Sequence, residues 1–569
     1  MSDVPTADRV MRAAPEDVPW DAACDVLVVG SGAAGMAAAI AAARQGAQVR
    51  LIEKLPTIGG TTAKAGGGRN EIASTWLWIC NHPWLAEIGV EDPRGSALQY
   101  LARLSRPELY VPDDEHLGLP PDEYALLETF YDHGRRAVEQ LNDAGALRLR
   151  PLVDTFDYFC DLPENIAPRG RGLFHSMPDG SEGTGADIIA DMSEVARQLG
   201  VEIRTGMALR GLVIDEDSGT VIGATVTSGA AQLDLVQVRG GVIIAAGGFT
   251  RDPDLVRNHL RGPVVGGLAA EGSTGDTVHI ATALGLSLAN MNEAWFTPLV
   301  LDLAPYPVSG AFRLPGDSMI VVNRFGNRVV NEKATYNEMA RAFFEWDASA
   351  GEYPNLPLVM IYDQSVSQRC RDMPADAPVT EGGGNPLPRV PGEGHEIVAR
   401  DLPDLVKQID ERLLKLHAVV PGVRLAPDFE TRLRRTIDHW NSMAQEGTDL
   451  DFGRGSTRGQ RARSGAPRIP SPQNPTMHPI ASNGPYYAVL LGPGTLDTKG
   501  GPQVDRYARM LRSDGSPVDG LYGAGNCIAS PARQAYWAGG TTLGLAVTFG
   551  WIAGEHAAER VRAEMSWRS

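Results

Sequence analysis

The run Val26-Leu27-Val28-Val29-Gly30-Ser31-Gly32-Ala33-Ala34-Gly35, followed by an alanine-rich stretch and then by Val49-Arg50-Leu51-Ile52-Glu53, decides the fold. It reads as strand, tight glycine turn, helix, second strand and acid, the order of a βαβ unit that holds a dinucleotide. Gly30 permits the turn, Gly32 lets the backbone approach a pyrophosphate, and Gly35 lets the helix lie close on the sheet. The helix start, from Ser31 through Ala33 and Ala34, offers N–H groups to the phosphates. Glu53 falls roughly 20 residues on, where a carboxylate accepts hydrogen bonds from a ribose 2′-OH.

Downstream lies Gly59-Gly60-Thr61-Thr62-Ala63-Lys64-Ala65-Gly66-Gly67-Gly68, read as a long glycine loop that can pass a flat ligand at backbone distance. The pattern predicts a helix over 123–146 and short strands over 201–204, 209–214 and 221–227. The apolar run Gly241-Val242-Ile243-Ile244-Ala245-Ala246 ends in Gly247-Gly248, the composition of a buried parallel strand closing on a ligand. From Trp295 to about Arg468 the sequence changes character and includes a long loop from Asp372 to Gly394. A stretch rich in Arg, Gly, Ser and Pro, Gly453 to Pro475, leads back to apolar strands at Tyr486 to Leu491.

The expected architecture is α/β. Residues 1–20 form a loose arm, residues 21–290 and 472–569 a discontinuous Rossmann-like nucleotide-binding domain, and residues 291–471 an inserted α+β catalytic or capping domain, with substrate between the two. A chain of 569 residues with net charge −18 lacks the basic face that nucleic acid needs. Five scattered cysteines without CxxC spacing suit a reducing cytoplasm. No uncharged apolar run reaches bilayer length, so a peripheral contact is the most membrane association expected.

A second glycine cluster runs from Gly500-Gly501 through Gly523-Ala524-Gly525-Asn526 to Gly550. With Gly59-Gly60-Thr61-Thr62 and Ala245-Ala246-Gly247-Gly248, it resembles the flavoprotein superfamily of fumarate reductases and 3-ketosteroid dehydrogenases, nearly from Cys24 to Ala558. The resemblance implies FAD, held without a covalent bond because the Gly59–Gly68 loop has no histidine. It carries the cofactor-holding set over to Gly30, Ser31, Gly32, Ala33, Ala34, Gly35, Glu53, Lys54, Gly60, Thr61, Thr62, Ala65, Gly66, Gly67, Ala208, Ala246, Gly247, Gly248, Asp276, Gly525, Asn526, Thr542 and Leu543.

Fumarate reductases carry a proton-donating Arg shortly after an Asn-Glu pair, and here Asn331-Glu332 is followed by Tyr336. Their substrate-carboxylate Arg is met by Tyr536, and their His before Thr-x-Gly-Gly by Leu496. The 3-ketosteroid dehydrogenases place tyrosines at the first two sites, and their last motif matches Tyr536, Gly540, Thr542, Gly544, Thr548, Phe549 and Gly550. Two departures touch substrate shape: Trp537-Ala538-Gly539 replaces the family's Pro-Gly-Pro, and Ala532-Arg533-Gln534 precedes the tyrosine.

The activity so implied is desaturation beside a ketone, by removal of an α-proton and transfer of a β-hydride to the flavin. Stabilising the enolate oxygen makes the α-proton acidic, a task for the Tyr536 hydroxyl and the Gly540 N–H. Tyr336 is the candidate base, its anion needing favourable neighbours, and Tyr158 the candidate relay. The expected substrate is a small-molecule ketone, steroidal or similarly polycyclic, with electrons passed to an unidentified acceptor. Rival readings are a Δ4-(5α) dehydrogenase, an alkene reductase and an electron-transfer flavoprotein without a substrate of its own. His478 shows no metal spacing, Arg533 reads as solvated, and Trp76, Trp78 and Trp84 serve equally as pocket lining or core.

Overall fold

Six consecutive buried residues, Asp25 to Gly30's predecessor Val29 among them, make Ala22–Val29 the centre of a sheet, and every later element is arranged around it. The computed structural model describes residues 9–66, 75–228, 232–305, 316–372, 387–388, 390–462 and 473–568. Ala22–Val29 pairs in parallel with Val49–Glu53 on one side and with the second half of Gln232–Ile244 on the other. Glu202–Thr205 extends the sheet beyond Val49–Glu53, and Pro517–Gly523 lies parallel to Gln232–Ile244. A shift of register between Val238 and Gly241 bends the long strand, so that its first half pairs antiparallel with Val221–Ser228.

Every residue from Ala33 to Ala42 in the helix Ala33–Arg44 is buried, because the sheet covers one side and the C-terminal helix Thr541–Arg568 the other. The two helices approach backbone to backbone. A Cβ on Gly550 would lie 2.2 Å from the Ala34 carbonyl oxygen and one on Gly554 2.2 Å from that of Ala38. Alanine on one helix and glycine on the other therefore set this crossing.

A second, six-stranded sheet is built on Tyr486–Thr498, which pairs with Leu358–Asp363, Ile397–Ala399, Ala294–Val300 and Gly266–Gly267. Helices Leu402–Lys415 and Phe429–Glu446 cover it. A small third sheet joins Trp76–Trp78, Gly172–His175 and Leu149–Pro151.

Four expectations need correction. The arm before Asp21 is not loose throughout, since Val10–Ala13 pairs in parallel with Met207–Asp215 and gains a full row of backbone partners. Tyr486–Thr498 lies within 472–569 yet forms the axis of the second sheet, and Gly266–Gly267, within 21–290, also joins it. A strand buried on both faces has no alternation to say which sheet it enters. Within the Gly59–Gly68 loop, Gly60–Lys64 is a short helix started by Gly59 at φ 111°. The helix expected over 123–146 is Pro121–Asp143, with proline in its first position. Gly67 and most of the loop from Asp372 to Gly394, its Gly382-Gly383-Gly384 included, lie outside the described residues.

Candidate active site

Four parallel strands of the first sheet end at one elongated cavity of about 530 Å³: Ala22–Val29 at Gly30, Val49–Glu53 at Lys54, Gln232–Ile244 at Ala246 and Gly247, and Pro517–Gly523 at Gly525 and Asn526. Such a crevice beyond the carboxyl ends of the strands is where an open α/β sheet binds its ligand. The glycine turn is tied to the second strand through Glu53, whose carboxylate accepts from Ser31 N at 3.1 Å, Ser31 Oγ at 2.6 Å and Leu55 N at 2.9 Å. Lys54 bridges to Asp276 at 2.7 Å, and Ala208 lines the same end. Thr62 Oγ1 accepts from Ala33 N at 3.1 Å, which fixes the short helix against the start of Ala33–Arg44.

At the other end Tyr158, Tyr336, Tyr536 and Gly540 share the wall with Trp76 and Leu496. Three separate parts of the chain deliver the tyrosines. Tyr336 begins the helix Tyr336–Arg341 behind the second sheet, Tyr536 follows the last strand of the first sheet, and Tyr158 is held by its N–H on Trp537 O at 3.0 Å. The hydroxyls of Tyr336 and Tyr536 are hydrogen-bonded at 2.7 Å, and the Tyr158 ring stands edge-on to both, at 6.1 and 5.3 Å between centroids.

Burial first, and then the phenols of Tyr158 and Tyr536, push the Tyr336 hydroxyl well above the usual tyrosine range. The neighbours thus disfavour its anion, whereas the base role asks that they favour it. Gly540, at φ 94°, directly precedes Thr541–Arg568, and its N–H has no acceptor among the described residues. Its carbonyl accepts from Trp78 N at 3.1 Å.

The candidate cofactor residues reach this cavity with three exceptions. Gly35 serves helix packing, since a Cβ there would meet Gly30 O at 1.9 Å. Gly248 faces inward and donates its N–H to Asp497 at 3.0 Å. Gly67 is outside the described residues.

Sequence reasoning missed Asp497, Trp295 and Lys499. Asp497 lines the cavity, and its carboxylate accepts from Gly248 N, Thr250 Oγ1, Thr498 N, Ser273 Oγ and Asn526 Nδ2, while burial raises its pKa. Trp295 donates to Asn526 Oδ1 at 3.1 Å and packs on Tyr536 at 4.8 Å. Lys499 Nζ lies 4.0 Å from the Trp295 ring centroid. The signal was present as two charged residues, Asp497 and Lys499, closing an otherwise apolar strand.

The walls fit an extended dinucleotide cofactor. Thr542 Oγ1 is buried at the cavity with no partner among the described residues, and a Cβ on Gly32 would meet nothing nearer than Thr62 Oγ1 at 3.5 Å among them, so the turn leaves its open side to a ligand. The N-termini of Ala33–Arg44 and Thr541–Arg568 both face the space, as phosphate and oxygen acceptors require.

Fold and cavity together define an α/β protein of the dinucleotide-binding class. The chain belongs to the FAD binding domain family, whose model matches residues 25–543. It is similar to 3-oxosteroid 1-dehydrogenase from Mycobacterium tuberculosis, 30% identical over 94% of this chain and 98% of the relative. It is likewise similar to 4-oxocyclohexanecarboxylate 2-dehydrogenase from Sinomonas cyclohexanicum, 28% identical over 93% and 92%. Among solved structures it resembles 3-ketosteroid delta1-dehydrogenase from Sterolibacterium denitrificans in complex with 1,4-androstadiene-3,17-dione. That match has a TM-score of 0.77 and 25% identity, covering 94% of this chain and 99% of the other. The chain is an FAD-dependent dehydrogenase of this family. No helix of the described residues is long and apolar enough to cross a membrane.

Proposed function

We propose that this protein desaturates the carbon–carbon bond next to the ketone of a 3-ketosteroid or similar polycyclic ketone, at the Δ1 position. The observation that carries the reading is the pair of hydroxyls, Tyr336 and Tyr536, bonded at 2.7 Å on the wall of a cavity that Gly540, whose N–H has no acceptor among the described residues, also lines. Tyr536 and Gly540 hold the carbonyl oxygen and stabilise the charge that develops there as the α-proton leaves. Tyr336 takes that proton, and Tyr158 carries it onward. FAD, when bound, supplies the two-electron acceptor for the hydrogen lost from the β-carbon. Gly30 to Ala34, Glu53, Thr62, Asn526, Thr542 and Leu543 are the residues that would hold it.

Among the described residues that line the cavity the only cations are Lys54 and Lys64, and its tyrosine wall of Tyr158, Tyr336 and Tyr536 with Trp76 and Leu496 carries no guanidinium or ammonium of its own, which suits a neutral ketone better than a dicarboxylate. The similarity to a 4-oxocyclohexanecarboxylate 2-dehydrogenase favours one second reading, a monocyclic ketone in the same chemistry. Anaerobic titration of the FAD-loaded protein with 4-androstene-3,17-dione, and separately with 4-oxocyclohexanecarboxylate, tests both. Bleaching of the oxidised flavin band by the steroid, with a 1,2-double bond seen by NMR of the product, is the expected result. A product unsaturated elsewhere in the ring moves the assignment to another position, and an unbleached flavin with both compounds refutes the ketone reading. Tyr536→Phe is expected to lose about 2–4 kcal/mol of transition-state stabilisation, measured as kcat/KM.

A further inference from the structure

Lys499 is fully buried, one residue beyond the strand Tyr486–Thr498, and does not itself line the cavity. Its ammonium donates to the carbonyl of Ala535 at 2.8 Å and reaches that of Gln534 at 3.4 Å, the two peptide groups that lead into Tyr536. The same nitrogen sits 4.0 Å from the centroid of Trp295, and Trp295 packs edge-on to Tyr536 at 4.8 Å. Lys499 therefore meets Tyr536 from two sides, through its incoming backbone and through the ring against which it rests. Arg341, from the helix that begins with Tyr336, donates to the Gln534 carbonyl at 2.7 Å, so the two tyrosine supports share one acceptor.

Burying an amine is unfavourable, and an apolar side chain of similar volume would ordinarily serve stability as well or better. Burial holds Lys499 down to about 7. The charged groups facing it are Glu293, which opposes that shift, Arg341 and Arg261, which add to it, and Glu338, which opposes it. Glu293 is itself paired with Arg261 and lies 3.7 Å from Arg341, so its charge is shared among three cations. A basic group kept in such a place, bonded to the backbone before Tyr536, has a role in the site rather than in the core.

We propose that Lys499 is a positioning residue that sets the Tyr536 hydroxyl by gripping the Gln534–Ala535 carbonyls and the face of Trp295. The inference rests on the reading of Tyr536 given above, and the test separates the two. FAD-loaded protein carrying tyrosine labelled with ¹³C at Cζ gives a Tyr536 resonance, assigned by its loss in Tyr536→Phe. In the wild type this resonance is expected to move with pH, with a midpoint near 7. In Lys499→Met and Lys499→Gln that movement disappears. Lys499→Met displaces the resonance, while Lys499→Gln, whose amide N–H groups can reach the same carbonyls, displaces it less. With 4-androstene-3,17-dione and a dye acceptor, kcat falls about tenfold to a hundredfold in Lys499→Met with little change in KM, and Lys499→Gln recovers part of the loss.

A Tyr536 resonance that titrates alike in wild type and in Lys499→Gln overturns the assignment, and that comparison stands even where Lys499→Met does not fold. Equal losses of kcat in both variants overturn it as well. A wild type that turns over no ketone, with a Tyr536 resonance that still responds to Lys499, refutes the ketone reading and supports the positioning role.

Discussion

In the proposed reaction Tyr336 removes a proton while its surroundings keep its own proton on. Its hydroxyl is buried, bonded to another phenol and edged by a third, and all three influences raise its pKa. A group raised above the ordinary value of about 10 is overwhelmingly protonated at neutral pH, and the fraction in the basic form grows tenfold with each unit of pH below that value. If the anion is the reacting form, log kcat in a dye-coupled assay climbs about one unit per pH unit from 7 to 9 without a plateau. Tyr336→Phe should erase the slope and roughly 10²–10⁴ of kcat while leaving the FAD content unchanged. A plateau below pH 8 in the wild type would take the base role away from Tyr336. The place of Tyr336 on the cavity wall was legible because it stands where a resembling family has arginine, whereas its environment was not, since Tyr158 and Tyr536 come from distant parts of the chain.

At the scale of elements, the C-terminal helix Thr541–Arg568 matters most, because its first turn ends the cavity and its middle packs on Ala33–Arg44. Gly540 is the joint. At φ 94° it occupies a conformation that L side chains avoid, and a Cβ there would lie 2.7 Å from the Leu77 carbonyl carbon and 2.8 Å from that of Trp76. Neither obstacle is a flexible side-chain tip, so Gly540→Ala must push the helix start away from Trp76–Trp78. The expected cost is about 2–4 kcal/mol of stability, together with a lower ratio of flavin to protein after purification. A thermal midpoint and flavin ratio equal to wild type would show that the joint is looser than its geometry. The βαβ unit around Ala33–Arg44 was readable because turn glycines, alanine helix and acid all lie within one short run. Tyr486 to Leu491 was readable as strand, but neither its continuation to Thr498 nor its place as the axis of the second sheet was. Its partners, Leu358–Asp363 and Ala294–Val300, are fixed by pairing over distances that no local pattern encodes. Asp497 and Lys499, at its end, stood out as charges closing an apolar run, but what they face depends on the same distant pairings.

Across the whole molecule, the three tyrosines come to one cavity from distant parts of the chain, so site geometry depends on how the larger sheets pack. The small third sheet is anchored by a buried charge cluster, in which Arg171 pairs with Asp92 at 2.6 Å and Asp157 at 2.7 Å, and Asp157 also accepts from Trp78 Nε1 at 2.7 Å. His82 belongs to this region. Its Nε2 lies 2.7 Å from the carbonyl oxygen of Gly170, the residue before Arg171, and only 1% of the side chain's residue surface is exposed. Burial lowers its pKa from 6.5 to about 4, outweighing the Gly170 hydrogen bond and the Asp92 charge that act the other way. Between those two values the unfolded chain binds a proton that the folded one refuses, so stability is full above 6.5 and falls as pH drops toward 4. At pH 4.5 the loss from this one group comes to about 2.5 kcal/mol relative to pH 7.5. His82→Gln keeps an N–H for the Gly170 carbonyl and cannot titrate, so urea unfolding should show the wild type losing that much more than the variant over the same interval. Parallel losses in the two proteins would mean that His82 is protonated without opening the fold, and that the acid sensitivity of the third sheet lies in its carboxylates instead.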